Sequence, residues 1–236
     1  MNYRSIGLED RDRVNHAIGG GFPEGSLVLL EGGTGAGKSA LASRVVYGLC
    51  EEGSRVALAS TEGDVGSYLE QMHSLSYDVL DHLLAGRLRY FHVPLERERA
   101  LVERFLRPGA LWDADVVVAD GFGALCRNDP AFAAALGTPA ADRAMERVVA
   151  RLDAPLDAGR VVLLTVDPAA LSEAALRPLH AAADVYLSLQ TDVVGQDVRK
   201  KAVVRRFTGM RRPVDDTIGF SVKQGRGLVI ESRTIA

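Results

Sequence analysis

Four short, almost wholly apolar runs, Leu27–Leu30, Val56–Ala59, Val116–Ala119 and Val161–Val166, constrain the fold of this chain more than any other feature. A strand with one wet face alternates apolar and polar residues, whereas a strand covered by helices on both faces is apolar throughout. Between the runs lie stretches with helical spacing: Ser39–Glu52, Val65–Leu84 with a break, and Asp142–Leu152. Strands alternating with helices need crossover connections, which give a mainly parallel sheet. After Asp184 the pattern shortens to β-like segments at Val185–Gln190, Lys201–Phe207, Thr217–Val222 and Gly227–Glu231. Gln224-Gly225-Arg226-Gly227 between the last two is a good hairpin turn. The expectation is one α/β domain over residues 1–236, its mainly parallel sheet flanked by helices and extended by an antiparallel C-terminal part.

At 236 residues, 47% hydrophobic and 25% charged, the chain can bury a substantial core. Its formal net charge of -3 gives no general attraction to nucleic acid or to an anionic membrane. No apolar stretch is long enough to span a bilayer. The charged start, MNYRSIGLEDRDRV, lacks the apolar segment of a signal peptide. Cys50 and Cys126 stand far apart and form no CxxC, so neither a disulfide framework nor a zinc site is suggested. A cytoplasmic location is the simplest expectation.

Residues 32–39 read Gly-Gly-Thr-Gly-Ala-Gly-Lys-Ser and fit the P-loop pattern G-x-x-x-x-G-K-[ST]. Such a loop curls so that successive N–H groups, here from Gly33, Thr34, Gly35, Ala36 and Gly37 onward, face phosphate oxygens at the start of a helix. Lys38 would reach the terminal phosphates, and the Ser39 hydroxyl would hold Mg²⁺. The bland alternative is a glycine-rich turn that happens to contain Lys-Ser. A strand candidate before the loop and a helix candidate after it favour ATP with Mg²⁺.

An acidic residue closing a neighbouring buried strand should then orient the magnesium water shell. Asp120 after Val116–Ala119 supplies it, although an aspartate there could merely cap a turn. Gly121 follows, where many P-loop ATPases carry a catalytic glutamate. A base must come from elsewhere, and Glu62, just beyond the Val56–Ser60 strand, is the candidate. Its carboxylate would lie on the same carboxyl edge of the sheet. Glu62 could equally serve only the first turn of the next helix.

Arg199 to Arg212 contains seven Lys or Arg residues and no acid. Strand alternation places Lys201 and Arg205 on one face, with Ala202, Val204 and Arg206 on the other. Only Phe207 offers an aromatic surface, which ranks single-stranded nucleic acid below a subunit-interface role. The five histidines, His16, His73, His82, His92 and His180, show no metal-ligand spacing. Met72 and Tyr77 read as core.

Gly19-Gly20-Gly21-Phe22-Pro23-Glu24-Gly25-Ser26, just before the P-loop strand, resembles the entry segment of the RecA/KaiC-like P-loop ATPases. Within that superfamily the chain resembles the FlaH (ArlH) family of archaellum accessory ATP-binding proteins. The particular stretches are Gln71-Met72-His73-Ser74-Leu75-Ser76-Tyr77-Asp78, Thr165-Val166-Asp167-Pro168, Asp216-Thr217-Ile218-Gly219-Phe220-Ser221-Val222 and Gly227-Leu228-Val229-Ile230-Glu231-Ser232-Arg233. The resemblance implies a RecA/KaiC-like fold and a cytoplasmic protein at the archaellum motor. It would join the motor ATPase to a polytopic membrane platform protein, touch the membrane only through partners, and form a homo-oligomeric ring. The resemblance also supports Glu62 as the catalytic glutamate and gives Arg205 or Arg206 an inter-subunit role, although Phe207 stands near the usual arginine. Gly121 departs from the pattern and points to little or slow hydrolysis. A recombinase-like DNA-dependent ATPase and a KaiC-like autophosphorylating ATPase are the alternatives.

Overall fold

The structure, a computed structural model, describes residues 2–96, 100–194 and 197–231. Ser232 and Arg233, quoted above for the resemblance, lie outside the described residues.

A short antiparallel ribbon, β1 (Tyr3–Arg4) with β2 (Phe22–Pro23), encloses α1 (Val14–Ala17). The main run follows as β3 (Leu27–Gly32), α2 (Lys38–Glu51), β4 (Val56–Ser60), α3 (Val65–Ser74), α4 (Leu80–Leu84) and β5 (Leu88–His92). It continues with α5 (Leu101–Leu106), β6 (Val116–Asp120), α6 (Phe122–Asn128), α7 (Pro130–Leu136), α8 (Ala140–Asp157), β7 (Val161–Val166) and α9 (Glu173–Ala182). The chain ends in β8 (Val185–Val194), β9 (Asp197–Phe207), β10 (Thr217–Lys223) and β11 (Gly227–Ile230). Nine strands form one sheet in the order β11-β10-β9-β8-β3-β7-β6-β4-β5. Strands β3 to β8 pair in parallel, and β9, β10 and β11 extend the sheet in antiparallel fashion.

The apolar runs are central strands because both faces of the sheet are covered. Alternate residues of one strand enter different layers: Val28 and Leu30 join the core under α2 and α3, while Leu27 and Leu29 join the core under α5 to α9. Cys50 and Cys126 are buried in different layers, so the sheet keeps them apart. Met72 and Tyr77 are core residues, exposed by 0% and 1%. Their helical stretch does break: α3 stops at Ser74, Ser76 takes a left-handed conformation (φ 57°), and α4 resumes at Leu80. The start of α3 is fixed by Asp64, whose carboxylate accepts from the Ser67 N–H at 2.9 Å.

The N-terminal segment is bound to α2 by an internal ion pair. Arg44, fully buried, donates from Nε and Nη2 to the two Asp12 carboxylate oxygens at 2.6 and 2.8 Å. Nη1 and Nη2 also donate to the Ile6 and Gly7 carbonyls at 2.6 and 2.7 Å, so each guanidinium nitrogen has a partner. Gly48, one helical turn further on, admits the Ile6 carbonyl so closely that an added Cβ would lie 1.8 Å from it. The helix that follows the glycine-rich loop is thereby anchored along its length.

Two features were not visible in the sequence pattern. The edge strand β5 reads Leu-Arg-Tyr-Phe-His, with one fully buried position, because it is covered on fewer sides than the central strands. β9 carries a bulge: Tyr186 pairs with Arg206 and Leu187 with Val204, leaving Arg205 as the extra residue. Beyond the bulge the faces exchange. Ala202, Val204 and then Phe207 pack on the α2 layer, so Arg206 lies opposite to Ala202 and Val204, contrary to simple alternation.

Candidate functional site

The carboxyl ends of β3, β4, β6 and β7 meet at one edge of the sheet, and strand register aligns them. Ser60 at the end of β4 is paired with Asp120 at the end of β6, and Leu30 of β3 with Thr165 of β7. The loop 33–37 leaves β3 at this edge. It turns on a bond from the Ala36 N–H to the Gly33 carbonyl, 3.1 Å, and on left-handed Gly35 and Gly37, φ 78° and 99°. Gly37 excludes a side chain by its backbone angle and by the Phe220 ring, 3.0 Å from where a Cβ would stand. α2 begins immediately, at Lys38, so its unpaired first-turn N–H groups open toward the loop.

Two lysines lie on this loop. Lys38 Nζ donates to the Gly32 and Gly33 carbonyls at 2.8 and 3.0 Å. Lys200 of β9 donates to the Gly35 carbonyl. Thr34 Oγ1 donates to Asp167, just beyond β7, at 3.0 Å.

The Ser39 hydroxyl lies between two carboxylates, 3.3 Å from Asp120 Oδ1 and 3.5 Å from Glu62 Oε2. Asp120 is also held by Thr165, whose hydroxyl donates to Oδ1 at 2.7 Å while accepting from the Gly121 N–H at 2.8 Å. The amide thus fixes the hydroxyl direction, and the hydroxyl fixes the carboxylate. Burial pushes the Asp120 carboxyl above its ordinary value; the Thr165 bond opposes the shift and the Glu62 charge adds to it. The Ser39 hydroxyl and the two carboxylates form a hard-oxygen donor set suited to Mg²⁺.

Glu62 is fixed through its backbone. Its N–H donates to Ser60 Oγ at 3.1 Å, and the Tyr90 hydroxyl donates to the Glu62 and Gly63 carbonyls at 3.1 and 2.9 Å. Gly121 has no room to be anything else: φ is 90°, and an added Cβ would stand 1.9 Å from Thr61 Oγ1. The position after Asp120 is empty of functional groups for a steric reason.

All the residues singled out on β3, β4, β6 and the loop therefore converge. The two arginines do not behave as a pair. Arg206 Nη1 donates to the His180, Ala181 and Ala183 carbonyls at 2.8, 3.0 and 2.8 Å, capping the C-terminus of α9 in its own chain. Arg205 is exposed on the bulge, beside Tyr186, whose hydroxyl donates to Glu31 at 3.1 Å. His180 completes that group, bonded to Glu31 and stacked on Tyr186 with ring centroids 4.8 Å apart.

Sequence reasoning assigned no role to Thr165, Tyr90 or Lys200. Thr165 left a trace, as the sole polar residue in a six-residue apolar strand, and it is 1% exposed. Lys200 stood only as one of the seven cations of the Arg199–Arg212 run, and Tyr90 left no trace, because their strands carry mixed residues and only the sheet order brings them to this edge.

The family model described as ATPase: KaiC matches residues 6–104, the stretch that carries the loop and Glu62. The archaeal flagellar ATP-binding protein FlaH of Methanocaldococcus jannaschii is 26% identical over 231 residues, covering 96% of this chain and 95% of the relative. FlaH of Methanococcus voltae is 26% identical over 241 residues, covering all of both chains. The crystal structure of the flagellar accessory protein FlaH from Methanocaldococcus jannaschii superimposes with a TM-score of 0.88 at 25% identity, over 98% of this chain and 100% of that one. The chain has the KaiC/RecA-like P-loop fold and is similar along its whole length to the archaeal flagellar ATP-binding protein FlaH.

Proposed function

We propose that the chain binds ATP with Mg²⁺ at the 32–39 loop and serves as an ATP-binding accessory protein of the archaellum. The observation that carries the site is the Ser39 hydroxyl seated within 3.3 Å of Asp120 and 3.5 Å of Glu62, at the mouth of a glycine loop that opens α2. The N–H groups of Gly33, Thr34, Gly35, Ala36 and Gly37 and the ammonium of Lys38 receive the phosphates. Ser39 ligates the magnesium, and Asp120 orients its water shell. Bound there, the ion would supply neutralisation of the phosphate charge. Glu62 is the group placed to accept a proton from water.

Turnover is slow in this proposal. Steric exclusion at Gly121 leaves no side chain for a base at that position, and Glu62, the candidate base, lies 3.5 Å from the Ser39 hydroxyl. Purified protein should release phosphate below the range of about 1–1000 per second common to enzymes that work by turnover. A protein that binds ATP and hardly consumes it acts by differential affinity of its bound and free forms for something else. Full-length likeness to FlaH supports a place in the archaellum machinery, and the partners in this proposal are its motor ATPase and a polytopic membrane platform protein. Among the described residues no helix is long and apolar enough to cross a membrane.

Calorimetric titration of ATP into wild type and Lys38→Ala, with Mg²⁺ present, tests the site. Loss of one charge-assisted contact to phosphate, about 1.5–3 kcal/mol, weakens binding roughly 10- to 100-fold. Equal affinity for both proteins would remove the assignment.

A further inference from the structure

Tyr68 of α3 lies behind the carboxylate pair. Its ring is 6% exposed and stacked on Tyr90, with centroids 4.8 Å apart. Its hydroxyl is buried and meets no hydrogen-bond partner among the described residues. Asp120 is among the groups whose charge acts on it. A buried phenol without a partner costs free energy that phenylalanine would avoid, so the hydroxyl calls for an explanation.

The surroundings supply one. A small cavity between α2, α3, β4 and β6 is lined by Ser43, Ser60, Glu62, Tyr68, Gln71 and Asp120 together with three apolar side chains. Its volume is ≈ 10 Å³, at the threshold of roughly 10–15 Å³ at which one water molecule fits. A water in a protein interior needs two to four polar partners, and this cavity offers more than that.

We propose that this cavity holds one water molecule that accepts a hydrogen bond from the Tyr68 hydroxyl and donates to the Asp120 and Glu62 carboxylates. Tyr68 is then a positioning residue for the pair assigned to magnesium above, and the inference rests on that assignment. The two tyrosines divide the task. Tyr90 fixes the backbone of Glu62 and Gly63 by direct hydrogen bonds, while Tyr68 fixes the carboxylates through the water. The stack between the rings makes one unit of the two. Ser39, on the open side of the carboxylates, and the water, on the closed side, hold the pair from opposite directions.

The test is Tyr68→Phe, which keeps the ring and its stack and removes only the hydroxyl. ATP affinity is measured by calorimetry with Mg²⁺ and with EDTA, and the thermal midpoint is measured without nucleotide. The expected result is a two- to tenfold smaller gain in affinity from Mg²⁺, the range for one hydrogen bond of about 0.5–1.5 kcal/mol. Affinity in EDTA stays unchanged, and the midpoint does not rise. A raised midpoint with an unchanged Mg²⁺ gain means that the hydroxyl is simply unsatisfied, and overturns the inference. Equal weakening with and without Mg²⁺ means a general structural role, and overturns it too. If wild type fails to bind ATP at all, the functional assignment falls first; if wild type binds and Tyr68→Phe matches it in every measurement, only the water bridge falls.

Discussion

At the scale of single residues, the site is defined as much by what is excluded as by what is present. Gly121 shows this best. Its left-handed backbone costs an L-residue about 1–2 kcal/mol. A methyl group would also displace Thr61, whose Oγ1 stands 1.9 Å from the Cβ position. Thr61 in turn precedes Glu62, and its N–H is bonded to the Asp120 carbonyl at 3.1 Å. Pushing Thr61 away therefore separates the two carboxylates. Gly121→Ala is expected to lower the urea midpoint and to weaken Mg²⁺-dependent ATP binding together, read by denaturation and calorimetry on the same sample. A variant with normal stability and binding would mean that Thr61 yields freely and that glycine is incidental here.

At the scale of elements, the bulge in β9 decides which arginine is available. By inserting Arg205 opposite the Tyr186–Leu187 step, it turns Arg206 toward α9 and leaves Arg205 exposed. Arg206 then places its charge where the helix carbonyls are unpaired, a favourable match to the negative end of the helix. Such a contact at an exposed position contributes about 0.3–1 kcal/mol. Arg206→Gln is expected to speed amide hydrogen exchange around 180–184 and to lower the thermal midpoint slightly, with ATP affinity unchanged. Exchange rates equal to wild type would show that the cap contributes nothing in solution.

At the scale of the whole molecule, the proposed nucleotide switch has a second subunit reach the loop at the open carboxyl edge. Of the two exposed arginines only Arg206 is held by hydrogen bonds to α9, so the proposal gives that contact to Arg205, whose guanidinium suits bidentate phosphate binding. Mg-ATP is expected to promote self-association and capture of the archaellum motor ATPase, measured by light scattering and pull-down. Arg205→Ala should reduce the response to ATP, Arg206→Gln should leave it, and Lys38→Ala should abolish it. Assembly indifferent to ATP in the wild type would end the nucleotide-switch proposal. A normal response in Arg205→Ala would remove only that residue's role.

The sequence by itself determined the parallel core and the position of the loop, because both depend on local facts. A strand buried on two faces must be apolar along its length, and a phosphate-type loop needs glycines where φ is positive, as at Gly35 and Gly37. Asp120 and Glu62 were legible for the same reason: each ends or follows such a strand. The tertiary structure alone decided the rest. Thr165 comes to Asp120 because β7 lies beside β6, an order the chain does not spell out. Tyr90 comes to the Glu62 backbone, with Tyr68 of α3 stacked on it, because β5 forms an edge that its mixed residues conceal. The fates of Arg205 and Arg206 turn on one extra residue in a ladder, and alternation read along a single strand cannot register a bulge that exists only relative to its partner.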